Sequence, residues 1–135
     1  MLTKDGPKMI EVGARMGGDN ITSHLVPLST GIDMVKATIE LSIGNIPDLT
    51  AKFEKGSAIR YIDFSIDIIS ASHENILNIS GVKELVVNKK YASTKTTILS
   101  SADRVGYVIS QSDDTNNAIE ICNNAIVKLK NTIDN

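Results

Sequence analysis

Residues 104–133, RVGYVISQSDDTNNAIEICNNAIVKLKNTI, read as a strand that runs into an amphipathic helix. Arg104–Ser110 has strand character, and Asp114–Ile133 sets Ala118, Cys122, Ala125, Leu129 and Ile133 on one helical face. Ser112 or Asp113 is placed to cap that helix, because a short polar side chain there accepts from the first free N–H groups. Upstream, Ala58–Ile69, Val82–Asn88 and Thr94–Ser100 read as three more strands, with a short helix over Glu74–Ile79 closed by Gly81. Strands gathered ahead of a helix, without regular alternation, predict an α+β arrangement: a small antiparallel sheet and helix over residues 58–135.

Residues 45–57 read as a connector, and the part before it has a different character. Thr30-Gly-Ile-Asp33 resembles a helix start with an acidic residue near the exposed N–H groups. Ile32, Val35, Ile39 and Ile43 follow at helical spacing, with Met34, Thr38 and Leu41 on a flanking face. Gly44 and Pro47 end the segment. So wide an apolar stripe predicts a helix packed on more than one side. A shorter helical segment is expected before it, stopping at Pro27. Residues 1–16 read as a hairpin turning at Asp5-Gly6-Pro7, with Lys8–Met16 as its second strand. In that strand Ile10, Val12 and Ala14 alternate with Glu11, Gly13 and Arg15.

Composition narrows the function classes. Lys plus Arg number 14 and Asp plus Glu 16, a net charge of −2, so no cationic field draws nucleic acid or an anionic membrane. Aromatics at 4% with no Trp offer no platform for stacking bases. Hydrophobic residues at 41% suffice for a modest aliphatic core. The single Cys122 excludes an internal disulfide and a multi-cysteine metal site. With no basic–apolar leader at the start, the expectation is a reducing cytoplasm. No apolar run reaches the ~20 residues that span a bilayer.

Chemistry concentrates in Glu11-Val-Gly-Ala-Arg-Met-Gly-Gly-Asp19. On one face of an extended strand, Glu11 and Arg15 stand about 13 Å apart at ~3.3 Å per residue. That is too far for a tight ion pair, but it suits a carboxylate and a guanidinium gripping opposite ends of a metal-bound phosphate. Gly13 between them leaves the backbone open to a ligand. An ordinary amphipathic strand with a solvated Glu and Arg has the same spacing. Gly13–Gly18 lacks the Gly-Lys-Ser/Thr ending of a P-loop, and His24 and His73 have no partners at metal-ligand spacing. Cys122, on an apolar helix face, reads as a small buried hydrophobe. Asp103 and Arg104, at a strand start, read as a structural ion pair or turn.

Residues 8–44, KMIEVGARMGGDNITSHLVPLSTGIDMVKATIELSIG, resemble the C-terminal half of the ATP-binding module of ATP-grasp ligases. The likeness is greatest to the L-amino acid ligase and carbamoyl-phosphate-synthase-like branch, with biotin carboxylase a more distant relation. It continues at Ser101-Ala-Asp-Arg-Val-Gly-Tyr-Val-Ile109. Glu11 and Arg15 match the family's strand motif, whereas Gly13 stands where the wider superfamily has Asn; the dipeptide-forming branch also has Gly there. The resemblance implies carboxylate activation by ATP and Mg²⁺ to an acyl phosphate that an amine then attacks. It makes Glu11 a metal ligand and Arg15 the catalytic charge stabiliser. Gly17 and Gly18 become backbone donors to the phosphoryl group, and Asp19 and His24 borders of the substrate pocket, although a turn residue and a packed helix residue would look the same in sequence. Residues 1–44 would be the C-terminal remnant of the ATP-grasp domain and 58–135 the small domain that closes it. The nucleotide-holding part would be supplied by a missing N-terminal portion, leaving this chain inactive alone. The alternative is a non-catalytic binding module, or a homodimer, that reuses the same scaffold.

Overall fold

The computed structural model describes residues 2–62, 71–87 and 99–131. Its centre is a three-stranded antiparallel sheet formed by β3 (Gly56–Ile62), β4 (Val82–Val87) and β5 (Gly106–Ser112), in the order β3-β5-β4. β5 is last in sequence but central in space, so β3 and β4 run parallel to each other on either side of it. The helix α3 (Ala71–Leu77) lies between β3 and β4 in sequence and packs on β4. The α+β expectation therefore holds. β3 begins two residues ahead of the expected strand, and β5 is shifted two residues toward the C-terminus. The expected strand over 94–100 lies largely outside the described residues, and Leu99 and Ser100 are not in a strand.

Strand alternation divides the sheet into two chemically different faces. One carries Ala58, Leu85, Val108 and Ser110 and is covered by α4 (Thr115–Asn131). Ala118, Cys122, Ala125 and Leu129 come from that helix, and all four are buried. Small side chains at 118, 122 and 125 let the helix approach the sheet closely. The hydroxyl of Ser110 donates to the Ala118 carbonyl at 2.6 Å, and the Cys122 thiol donates to Ser110 Oγ at 3.1 Å. Asp114 is the capping residue, one beyond the expected pair: its Oδ1 accepts from the Asn117 N–H at 2.9 Å. At the start of β3 a Cβ on Gly56 would lie 2.1 Å from the Asp114 backbone, so this contact between strand and cap requires glycine.

The opposite face is covered by a π-helical turn (Ile21–Leu25) that continues into α1 (Val26–Thr30). The expected stop at Pro27 is not observed. Pro27 falls in the first turn of α1, where a missing N–H costs nothing, and the wider turn before it runs through Leu25 N–H to the Asn20 carbonyl. Thr30 ends this helix rather than starting the next. Asp33 caps α2 (Met34–Ser42), accepting from the Lys36 N–H at 2.9 Å. The apolar stripe of α2 is not packed as expected. Val35, Ile39, Leu41 and Ile43 are exposed, and Ala37 is the buried side chain of this helix. Residues 8–16 also differ from expectation. β1 (Leu2–Thr3) pairs only with β2 (Gly6–Pro7), and the segment after it has no regular structure. A strand needs a neighbour for its N–H and C=O groups, and β1 is already taken by β2. Met9, Ile10 and Val12 are consequently 73–81% exposed. Among the described residues no helix is long and apolar enough to cross a membrane.

Candidate functional site

Antiparallel register aligns Tyr61 with Tyr107 and Tyr107 with Val86, and Ile59 with Ile109 and Ile109 with Glu84. These two rows lie on the sheet face away from α4, because alternation sends Ala58, Val108, Ser110 and Leu85 the other way. Ile109 is fully buried there, beside Pro27 and Leu28. The tyrosines stand at the end of that face, edge to face, with ring centroids 6.4 Å apart. They form one wall of a cleft of about 320 Å³ that also takes in Asp19, Asn20, Ser101 and Arg104.

Arg104 closes the cleft from the loop ahead of β5. Its guanidinium carbon lies 3.7 Å from the Tyr61 ring centroid, a cation–π contact. Its Nη1 donates to Asp19 Oδ1 at 3.0 Å, and the Tyr61 hydroxyl donates to the Asp19 carbonyl at 3.2 Å. Asp19 is thus held by side chain and backbone at once. It and Asn20 have φ of 53° and 63°, two consecutive left-handed residues of the types that tolerate that region best. Burial, reinforced for Tyr61 by Asp19 and for Tyr107 by Glu84, pushes both phenols above their usual range. Both stay protonated donors at neutral pH. Of the two expected roles for Asp103, an ion pair with Arg104 or a turn, the structure has the turn: Asp103 closes a capping box with Ser100 over Ser101–Asp103. Those hydrogen bonds, with Ser100 first, hold its carboxyl below the ordinary value. Arg104 is left to reach Asp19, 85 positions away in sequence.

The site residues expected from sequence are not all gathered here. Asp19 is in the cleft. His24 lies in a neighbouring depression, with Nε2 3.3 Å from Glu84 Oε2 and Nδ1 2.7 Å from Ser23 Oγ. The Gly17 carbonyl accepts from Thr22 Oγ1 at 2.9 Å and that of Gly18 from the Ile21 N–H at 3.0 Å; both glycines are exposed. Glu11 and Arg15 lie on the irregular exposed segment, and Arg15 Nη1 donates to the neighbouring Met16 carbonyl at 3.2 Å. Tyr61, Tyr107 and Arg104 were not foreseen. The tyrosines are two of only 3 in the chain and sit in strands, a faint signal at best. Their pairing depends on register between distant segments.

A resident Mg²⁺ does not fit the residues present. Glu11 is a single solvated carboxylate, and among the described residues no group of three His, Cys, Asp or Glu could hold a metal. Magnesium demands a near-complete octahedron of oxygens, which one carboxylate cannot supply.

No family model matches this chain, and no solved structure matches it. It is similar to the phosphoribosylamine–glycine ligase of Methanococcus vannielii, an ATP-grasp enzyme, with 38% identity over 63 residues. The match covers 46% of this chain and spans only 14% of that ligase's length. What the chain carries is a distant and partial similarity to an ATP-grasp ligase.

Proposed function

We propose that the chain is the C-terminal part of an ATP-dependent carboxylate–amine ligase working through an acyl phosphate. Residues 1–44 would complete its ATP-grasp domain, and 58–135 would form the small domain beside it. The observation that carries this reading is the partial similarity to phosphoribosylamine–glycine ligase. Two features support it. The Asp19 clasp fastens the end of the Glu11–Asp19 segment to the sheet, which gives a loop bearing a carboxylate and a guanidinium a defined anchor. The exposed apolar side chains of residues 9–16 and α2 are what a segment would show if the rest of such a domain covered it. Arg15 would then stabilise negative charge on the transferred phosphoryl group, and Gly17 and Gly18 would offer it backbone N–H groups. Metal ligands beyond Glu11 would come from the complement.

The test is to supply that complement: fuse or mix an ATP-grasp N-terminal portion with this chain and follow amine-dependent phosphate release from ATP. Activity is expected. It should fall on the order of 10²-fold in Arg15→Ala, as for other losses of one oxyanion stabiliser. A folded, ATP-binding assembly with no such turnover would overturn the proposal. The second reading, a non-catalytic module that dimerises through α2, rests on the same exposed Val35, Ile39 and Ile43. It would be favoured by a dimer in solution that dissociates in Ile39→Glu.

A further inference from the structure

Two irregular pieces of backbone meet beside the tyrosine cleft, and each carries polar side chains to the same place. The π-helical turn Ile21–Leu25, entered through the left-handed Asp19 and Asn20, puts Ser23 and His24 side by side. Across from it the pairing of β4 with β5 slips between Val82 and Glu84, so Lys83 is the extra residue of a bulge. Wide turns and bulges both gather at functional sites, because they re-aim side chains that a regular ladder would turn away. Here they border one depression of about 390 Å³, where Ser23, His24, Lys83 and Glu84 stand beside the apolar Pro27 and Leu28.

The polar groups are joined in order. Ser23 Oγ lies 2.7 Å from His24 Nδ1, and His24 Nε2 lies 3.3 Å from Glu84 Oε2. That oxygen is buried and has no hydrogen bond among the described residues, so a proton on Nε2 satisfies it best. The Tyr107 phenol hydrogen-bonds the same carboxylate and holds it in place. With the proton on Nε2, Nδ1 is an acceptor, and the group it faces is the Ser23 hydroxyl. Hydroxyl, imidazole and carboxylate in this order form an acyl-transfer relay, recognised by geometry and roles rather than by sequence position. A 3.3 Å contact is within what such a relay shows before substrate arrives. Ser23 is exposed and the His24 side chain 38% exposed, so an incoming carbonyl reaches both.

We propose that Ser23, His24 and Glu84 form an acyl-transfer site that cleaves carboxylic esters with a small apolar acyl group. Ser23 Oγ bonds to the carbonyl carbon as its proton passes to His24 Nδ1. The carbon–oxygen bond to the alcohol then breaks, and the alcohol takes that proton as it leaves. Water, giving a proton to His24 in its turn, attacks the serine ester and releases the free acid; His24 returns the proton to Ser23 Oγ. Lys83 supplies the positive charge that the tetrahedral oxyanion needs, and Pro27 and Leu28 receive the acyl chain. Glu84 acts through His24, as a positioning residue. The site uses neither Glu11 nor Arg15 and no ATP, so it stands or falls apart from the ligase reading.

The 135-residue chain with 4-nitrophenyl butyrate tests this. Release of 4-nitrophenolate should be saturable, and peptide mass spectrometry of the acid-quenched mixture should find a butyryl group on Ser23. Ser23→Ala and His24→Gln should each lower kcat on the order of 10²-fold. Glu84→Gln should lower kcat with KM unchanged, and it should cost nothing further in a His24→Gln background, where a merely structural role would still add its own loss. On the native chain, a fluorophosphonate should label Ser23 ahead of every other serine, a readout that needs no variant to fold. A bare imidazole also hydrolyses such esters, so full activity in Ser23→Ala would overturn the proposal. So would a native chain no faster than free imidazole at equal concentration, butyryl groups on lysines alone, or fluorophosphonate labelling that passes Ser23 by.

Discussion

Cys122 shows how far one side chain can be argued. It is fully buried, its thiol donates to Ser110 Oγ, and burial pushes the thiol up from its ordinary value. A thiolate there is unfavourable and a reagent cannot reach it, so the native chain should label with a maleimide far more slowly than an unfolded one. Cys122→Asp would set an unpaired charge among Ala118, Ala125 and Leu129. It should cost at least ~3 kcal/mol or abolish folding, read by urea denaturation. Cys122→Ala removes one sulfur from a tight space and should cost about 1–2 kcal/mol. Arg104 stands at the other extreme. Nothing local in Ser101-Ala-Asp-Arg104 distinguishes a turn residue from the anchor of Asp19. Asp103 is drawn to Ser100 by a capping box three residues long, and the guanidinium then finds its partner across the molecule.

At the scale of elements, the connection from α3 into β4 depends on Gly81. Its φ is +88°, and a Cβ would come 2.6 Å from Ile121 Cδ1 and 3.0 Å from the Gln111 carbonyl. Gly44, after α2, has a similar φ of +85° with nothing within 4 Å. Gly44→Ala should therefore cost only the left-handed backbone penalty, about 1–2 kcal/mol if α2 melts with the rest. Gly81→Ala should cost more, because Ile121 must also swing away from the strand. Equal losses in thermal denaturation would show that the α3–β4 turn relaxes without disturbing α4. The two long helical patterns differ in the same instructive way. Both α2 and α4 were legible as apolar stripes, but only α4 has a sheet to cover. Periodicity records which face a helix would bury, and the neighbour that buries it has to be found elsewhere.

For the whole molecule, the proposed ligase reading expects no ATP hydrolysis or joining of amino acids from the chain by itself, because in that reading the nucleotide-holding part comes from the complement. Phosphate release in ATP, Mg²⁺ and mixed amino acids should stay at the buffer level. Mg²⁺ titrated by calorimetry should show no tight site at Glu11; turnover lost in Glu11→Gln would contradict both expectations. The sequence by itself determined the α+β class, the buried face of α4 and the strands around which the sheet forms. Each of these follows from local chemistry: side-chain period, small residues at helical spacing, caps and turns. Only the tertiary structure decided that β5 is central, that Tyr61 and Tyr107 face each other, and that Arg104 belongs to Asp19 rather than Asp103. It also decided that residues 8–16 form no strand and that the stripe of α2 lies open. The reason is common to all five. A strand's pairing and a long side chain's partner are set by segments tens of residues apart, and no local pattern encodes which of them arrives.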